Sequence, residues 1–340
     1  MIGKSKYLYR LAASAHMDRF FRALNRNKFL VVMYHGIVPH PLPMPCWWQI
    51  EYDNLKSQLK FLKDHYAVLP LAEIMSRINR GEALPKNTAA ITFDDGLENN
   101  FTYAFPLLQR LLMPATIFLV SDFIGTNNLL WFDRLYIQFT ETAVRSLDIS
   151  KCGLGVYTLN SNAQKQDSYN IICEHLKIVR DEERKDIISL IERQLQVNVD
   201  KSALHKHFRL MSWEQRDKMK KSGLIDFGSH SSTHPILSRL SNSDLYYEIQ
   251  NSFTRIGDNP VLFAYPNGRA IDFDKRCQSF LSKKNVACAV STISGLNGRK
   301  VNPFALRRIS IGSDISMEYF RLACSGMIDF FKKSINEKTA

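Results

Sequence analysis

Seven apolar runs of strand length punctuate the chain: Phe29–Tyr34, Ala89–Phe93, Ala115–Val120, Leu224–Gly228, Val261–Tyr265, Val286–Ser291 and Leu306–Ile311. They are near-continuous rather than alternating, which is the pattern of strands buried on both faces. Between most of them apolar positions recur with helical spacing, as in Tyr52–Leu62, Thr102–Leu112, Ser243–Ile256 and Asp274–Lys283. Strands alternating with helices predict an α/β fold with a parallel sheet, and seven such strands fit a closed or nearly closed barrel better than an open sheet. Pro114 follows the second of these helices where a proline should stop it.

The rhythm breaks once. Residues 133–210 carry helical patterning, notably Ile171–Val179 and Arg184–Leu195, with twelve basic and eleven acidic side chains, and predict a nearly neutral helical insertion on the barrel rim. Ahead of the first strand, residues 1–28 hold seven Lys/Arg and one Asp. Tyr7, Leu8, Leu11, Ala12 and Ala15 share one helical face, whereas Met17, Phe20, Phe21 and Leu24 share another. The change of side near Ser14–His16 predicts two short amphipathic helices. The barrel then spans 29–312, and residues 313–340 predict a C-terminal helix rich in Phe, Leu, Ile and Met.

Composition narrows the function classes. With 45% apolar residues in 340, the chain is neither disordered nor collagen-like. A net charge of +12 favours an anionic partner such as nucleic acid, a membrane surface or an acidic glycan. No recognition motif supports nucleic acid, so none is expected. Six scattered cysteines without a C-x-x-C argue against a disulfide framework or a thiolate zinc site, and suit a reduced, cytoplasmic chain. No apolar run reaches about 18 residues, so no spanning helix is predicted. The amphipathic basic N-terminus and the apolar C-terminal segment with Lys332 and Lys333 predict peripheral attachment to the inner face of an anionic membrane.

Two motifs carry chemistry. Ile91-Thr92-Phe93-Asp94-Asp95-Gly96 ends a predicted strand with two adjacent carboxylates. Neighbouring strand residues point to opposite faces, so both reach one site only if the strand has just ended, and Gly96 supplies the permissive turn. The C-terminal end of a barrel strand is where such folds keep catalytic groups. The second motif, Gly228-Ser229-His230-Ser231-Ser232-Thr233-His234-Pro235, also follows a strand. Two imidazoles four positions apart converge on one ion when the backbone coils for a turn. Pro235 keeps His234 out of helical geometry, so this is not the helical H-E-x-x-H of a protease. Two His and one Asp make a facial metal site with open positions, and the second Asp is left to act on bound water. Nitrogen and oxygen donors without sulfur suit Zn²⁺, with Co²⁺, Ni²⁺ or Fe²⁺ fitting as well.

The order of these motifs, followed by Phe263-Ala264-Tyr265-Pro266-Asn267-Gly268, resembles the polysaccharide deacetylases (carbohydrate esterase family 4, the NodB-homology domain) over roughly residues 30–120 and 210–312. The resemblance implies a distorted (β/α) TIM-like barrel, with Asp95, His230 and His234 holding the metal and Asp94 as general base. Trp131-Phe132-Asp133-Arg134 and Pro303-Phe304-Ala305-Leu306-Arg307-Arg308 resemble a bacterial branch associated with surface-polysaccharide synthesis. The third motif departs from the common R-P-P-Y-G, with Ala264 in place of the Arg and Asn267 in place of the Tyr. A backbone N–H survives any side-chain change, so an oxyanion donor at Asn267 persists. Arg307 or Arg308 is expected to restore the charge beside Asp94. The family's L-x-H acid reads Leu306-Arg307-Arg308, and an arginine cannot give up its proton at neutral pH. His35, at the end of the first strand, is the candidate acid in its place. Tyr265, Pro266 and Trp131 are candidate substrate contacts, with Trp47 and Trp48 also able to stack on sugar rings. The activity implied is metal-dependent N-deacetylation of an N-acylated or lipid-linked glycan; the rival is a barrel of this fold that binds a glycan or partner without turnover.

Overall fold

The computed structural model describes residues 9–257 and 262–336, with side chains through Phe331. Val261, Lys6, Tyr7 and Leu8 lie outside the described residues, as do the side chains of Lys332 and Lys333. Seven parallel strands form a curled sheet: β1 (Phe29–Tyr34), β2 (Thr88–Phe93), β3 (Ala115–Leu119), β4 (Ile225–Ser229), β5 (Leu262–Ala264), β6 (Cys288–Val290) and β7 (Ile309–Ser310). Their order is β6-β5-β4-β3-β2-β1-β7. Leu306, just ahead of β7, makes a parallel bridge to Val290 of β6, which brings the two ends of that order together. The result is a distorted (β/α) barrel. The two-residue strand Ala67–Val68 pairs with β2 as an extra element, too short to register as an apolar run.

Every residue of β1, β2 and β3 is buried, and alternate residues serve two cores. Val31, Ala90, Phe118, Ala264, Val290 and Leu306 pack into one cluster, joined by Leu71, Ile74 and Met75 of the helix Leu71–Asn79. Leu30, Val32, Ala89, Ile91, Ile117 and Leu119 pack the other way, against the helices that return each strand to the next. The chain therefore alternates between barrel interior and helix layer. Gly228 is needed in the interior, because a Cβ there would lie 2.7 Å from both the Leu262 carbonyl oxygen and the Phe118 ring.

The helices, in chain order, are α1 (Met17–Leu24), α2 (Tyr52–His65), α3 (Leu71–Asn79), α4 (Phe105–Leu111), α5 (Trp131–Glu141), α6 (Asn162–Leu176), α7 (Asp181–Leu195), α8 (Trp213–Lys221), α9 (Asn242–Ile256), α10 (Lys275–Lys283), α11 (Met317–Cys324) and α12 (Met327–Asn336). Residues 9–14 are also helical, and His16, in the left-handed region at φ 54°, separates them from α1. No described helix is long and apolar enough to cross a membrane.

Three expectations change. The predicted helix Thr102–Leu112 divides into a π-helical turn, Asn100–Ala104, and α4. Pro106 at the start of α4 has no N–H to continue the α pattern. The single C-terminal helix is two, because Gly326 at φ +83° turns the chain between α11 and α12. The insertion is not purely helical: Ser146–Asp148 and Val156–Thr158 form an antiparallel hairpin. It also shares its core with the barrel, since Tyr136, Phe139, Ile172 and Phe208 pack with Met44, Cys46 and Trp48 from the β1–α2 connection.

Gly96 fixes the turn after β2. It has φ +76°, and a Cβ there would stand 2.7 Å from Cδ2 of Leu119. Gly96→Ala should lower the unfolding free energy by about 1–3 kcal/mol in urea denaturation. Gly223→Ala, at φ +71° with no atom within 4 Å, should lose only the left-handed penalty of about 1–2 kcal/mol.

Candidate active site

The C-terminal ends of the strands surround a cavity of about 420 Å³. Interior-facing positions continue the strand alternation upward and deliver His35, Asp94, His230 and Ser310 to its lining. Asp95 reaches the same cavity although it is adjacent to Asp94, because β2 has ended and Asp95 adopts φ 71°. His234 and Ser231 are likewise left-handed, both at φ 65°, so the segment coils back and brings His234 beside His230, with ring centroids 4.7 Å apart.

Asp95 is 1% exposed, and neither carboxylate oxygen has a hydrogen-bond partner among the described residues. Its Oδ1 lies 3.5 Å from Nε2 of His230 and 3.6 Å from Nε2 of His234. The Nδ1 of His230 donates to the Ala264 carbonyl at 2.8 Å, so its Nε2 carries the lone pair that faces Asp95. Burial lowers the pKa of both histidines, which keeps the rings neutral and able to ligate. Burial, then the charge of Asp94, pushes the Asp95 carboxyl upward. Leaving a buried carboxylate unpaired is costly. One nitrogen from each histidine and one carboxylate oxygen, all within 4.8 Å of one another, fit a divalent cation with nitrogen and oxygen preference.

Asp94 is held differently. Both of its oxygens accept from Arg308, Oδ1 from Nη1 and Oδ2 from Nη2, each at 2.7 Å. Arg308 is 0% exposed; its Nε donates to the Ser291 carbonyl and its Nη1 also to Thr92 Oγ1. Burial alone would raise the Asp94 pKa, but Arg308, helped by His230, outweighs it and holds the carboxyl well below its usual range. Of the two arginines, only Arg308 makes this contact; Arg307 donates to the Ser294 carbonyl.

His35 lines the cavity, and its pKa falls to about 4 through burial, with Arg308 and His230 adding and Asp94 opposing. Asn267 sits at φ 55° with its buried Nδ2 lacking a partner among the described residues. Tyr265 also lines the cavity, but its ring stacks on Phe273 at 4.0 Å and its hydroxyl donates to the Phe304 carbonyl. Pro266 and Trp131 do not line it. The Trp131 ring instead packs on Phe132 and beneath the Arg184 guanidinium. The aromatic wall is Trp47, Trp48, Phe132 and Tyr169.

Several contributors escaped the sequence reading. Asp133 accepts from Trp48 Nε1 at 2.8 Å, and the Phe132 and His234 rings meet at a steep angle with centroids 5.6 Å apart. Asn170, Glu174 and Lys177 from the insertion form one side of the cavity, and Glu174 pairs with Arg269 at 3.5 Å across its mouth. Glu248 of α9 shapes the histidine segment: its carboxylate accepts from the backbone N–H groups of Ser232 and Thr233, both at 2.9 Å, and from the Thr233 hydroxyl at 2.7 Å. A signal for it existed, because Glu248 falls within the buried stripe Leu245, Ile249, Ser252 and Ile256.

A family model described as polysaccharide deacetylase matches residues 81–287, well over half of the chain. The poly-beta-1,6-N-acetyl-D-glucosamine N-deacetylase of Staphylococcus epidermidis is 35% identical over 82 residues, and that of Staphylococcus aureus 33% over 82 residues. These segments span 24% of this chain and 28% of the relatives. Among solved structures, the Streptococcus pyogenes deacetylase PplD in complex with acetate aligns at TM-score 0.56 and 18% identity, covering 87% of this chain and 98% of that one. IcaB from Ammonifex degensii aligns at 0.55 and 16%, covering 88% and 97%. The structural likeness shows a shared fold, and the family match shows that the chain belongs to the polysaccharide deacetylase family.

Proposed function

We propose that the chain is a metal-dependent N-deacetylase that hydrolyses the acyl amide of an N-acetylated glycan, in cell-surface polysaccharide synthesis in the cytoplasm. The observation that carries this reading is the buried Asp95 carboxylate, unpartnered, facing two neutral imidazoles beside a second carboxylate that is already neutralised. A non-catalytic glycan-binding barrel has no use for that division of labour.

Asp95, His230 and His234 would hold the ion, with zinc suited best by these donors and Co²⁺, Ni²⁺ or Fe²⁺ fitting too. When bound, the ion supplies Lewis acidity toward the acyl oxygen and lowers the pKa of water. Asp94 takes the proton of the attacking water at one carboxylate oxygen. Arg308 fixes the orientation of that carboxylate and keeps it ionised. The backbone N–H of Asn267 donates to the oxygen that becomes negative as the carbonyl turns tetrahedral. His35, kept neutral at rest because burial lowers its pKa to about 4, would take up the proton that Asp94 removed from the water and pass it to the nitrogen of the leaving amine, which returns Asp94 to its ionised form. Trp47, half exposed at 49%, offers a ring face for the sugar, while Trp48 and Phe132 exclude water.

Product analysis by mass spectrometry on N-acylated glycans should show loss of one acyl group per modified sugar; no mass change on any of them would reject the reaction class. Asp94→Asn should cost at least about 100-fold in turnover while retaining the metal, whereas His234→Ala should lose both; equal loss of metal in the two would make Asp94 a ligand.

Arg308→Lys cannot fork to both oxygens. The Asp94 pKa then rises toward the ordinary carboxylate range, so the acid limb of the kcat/KM profile should move to higher pH. An unmoved limb would remove Asp94 as the titrating base.

Glu248→Ala frees two backbone donors at the histidine segment and should weaken metal affinity by about 10–100-fold in chelator competition.

A further inference from the structure

The helix α1 departs from the sorting of an ordinary surface helix, with an ion pair buried on its inward side and large apolar side chains left outside. Beside the buried Phe21 its inward side carries ions: Asp18 is 1% exposed and pairs with Arg321 at 2.9 Å and Arg22 at 3.6 Å. Arg22 in turn lies over the rings of Phe61 and Tyr66. Its outward side carries Phe20 and Leu24, one turn apart and 62% and 63% exposed. A helix that merely covers a barrel places these groups the other way round.

The C-terminus enlarges the patch. Phe330 and Phe331 of α12 are 52% and 45% exposed, and their rings stand 5.4 and 6.1 Å from that of Phe21. Leu24 and Phe330 line one shallow cavity of about 130 Å³, so the apolar groups of the two helices adjoin. Arg19, Arg26 and Lys28 are exposed on the same stretch, within the 28 residues that hold seven basic side chains and one acidic.

We propose that α1 and α12 form a docking surface for an anionic lipid bilayer. Phe20, Leu24 and Phe331 enter the boundary between headgroups and acyl chains, and Arg19, Arg26 and Lys28 meet the anionic headgroups. A second copy of the chain is a poorer occupant, because a two-fold contact would set one basic patch against another. The patch lies at the N-terminal ends of the strands: α1 leads directly into β1, and Asn87, just before β2, donates its N–H to the Arg26 carbonyl. The cavity lies at the opposite ends, about 20 Å away along a six-residue strand, so a docked molecule holds its cavity away from the bilayer.

Flotation of the full chain with phosphatidylcholine vesicles, with and without added phosphatidylglycerol, tests this. Binding should require the anionic lipid. Phe20→Ser with Leu24→Ser should weaken it by about tenfold or more, and Arg19→Gln with Lys28→Gln by about fivefold per charge removed. All four positions are exposed, and circular dichroism together with activity on a soluble glycan should match the parent in both variants. Equal binding to both vesicle types, or unchanged binding of Phe20→Ser with Leu24→Ser, overturns the proposal. So does a dimer in light scattering that the same pair of substitutions dissolves in the absence of lipid binding.

Discussion

An ionised carboxylate is costly to bury without a partner, and this barrel buries two carboxyl groups side by side at its strand ends. Asp94 and Asp95 follow one another in the chain, yet among the described residues a single guanidinium serves them, that of Arg308, and both of its Nη atoms donate to Asp94. Asp95 is left with neither oxygen hydrogen-bonded among the described residues and two imidazole nitrogens within 3.6 Å. Removing one partner of a buried ion pair costs about 3–5 kcal/mol because it strands the other charge, so Arg308 and Asp94 depend on one another for burial, and Arg308 also sets the charge of the base. The unequal treatment of the two carboxylates is what makes the site chemically directional.

The surroundings follow from that requirement. A metal-ligand segment must hold His234 and Ser231 in left-handed backbone, which Glu248 supports from α9 by accepting two backbone N–H groups. The interior beneath must be dry, and Phe118 fills it, 6.0 Å below the Arg308 guanidinium. Gly228 gives the Phe118 ring its space. The insertion then closes one side, tied to the barrel through Trp48 and Asp133.

The strands were legible because both faces of most are buried, leaving runs that are largely apolar. The Asp-Asp-Gly turn and the spaced histidines were legible because residue type and local turn chemistry sit within a few positions. What escaped depends on tertiary register. Arg307 and Arg308 are adjacent and chemically alike, and only the pairing of Ile309 with Val32 and of Ser310 with Met33 turns Arg308 inward. Trp131 carries the more conspicuous ring for a sugar, yet Phe132 and Asp133 are the residues that reach His234 and Trp48. The hydrophobic stripe of α1 was visible in the sequence, but not that Arg22 would be drawn inward by Asp18 while Phe20 and Leu24 stayed out.

X-ray absorption on the zinc-loaded chain tests the central claim most directly, since it reads the ligands themselves. The account predicts a shell of two imidazole nitrogens and protein or water oxygen at about 2.0–2.2 Å, with the imidazole signal lost in His234→Ala. Sulfur at about 2.3 Å, or a shell unchanged by that substitution, would contradict it.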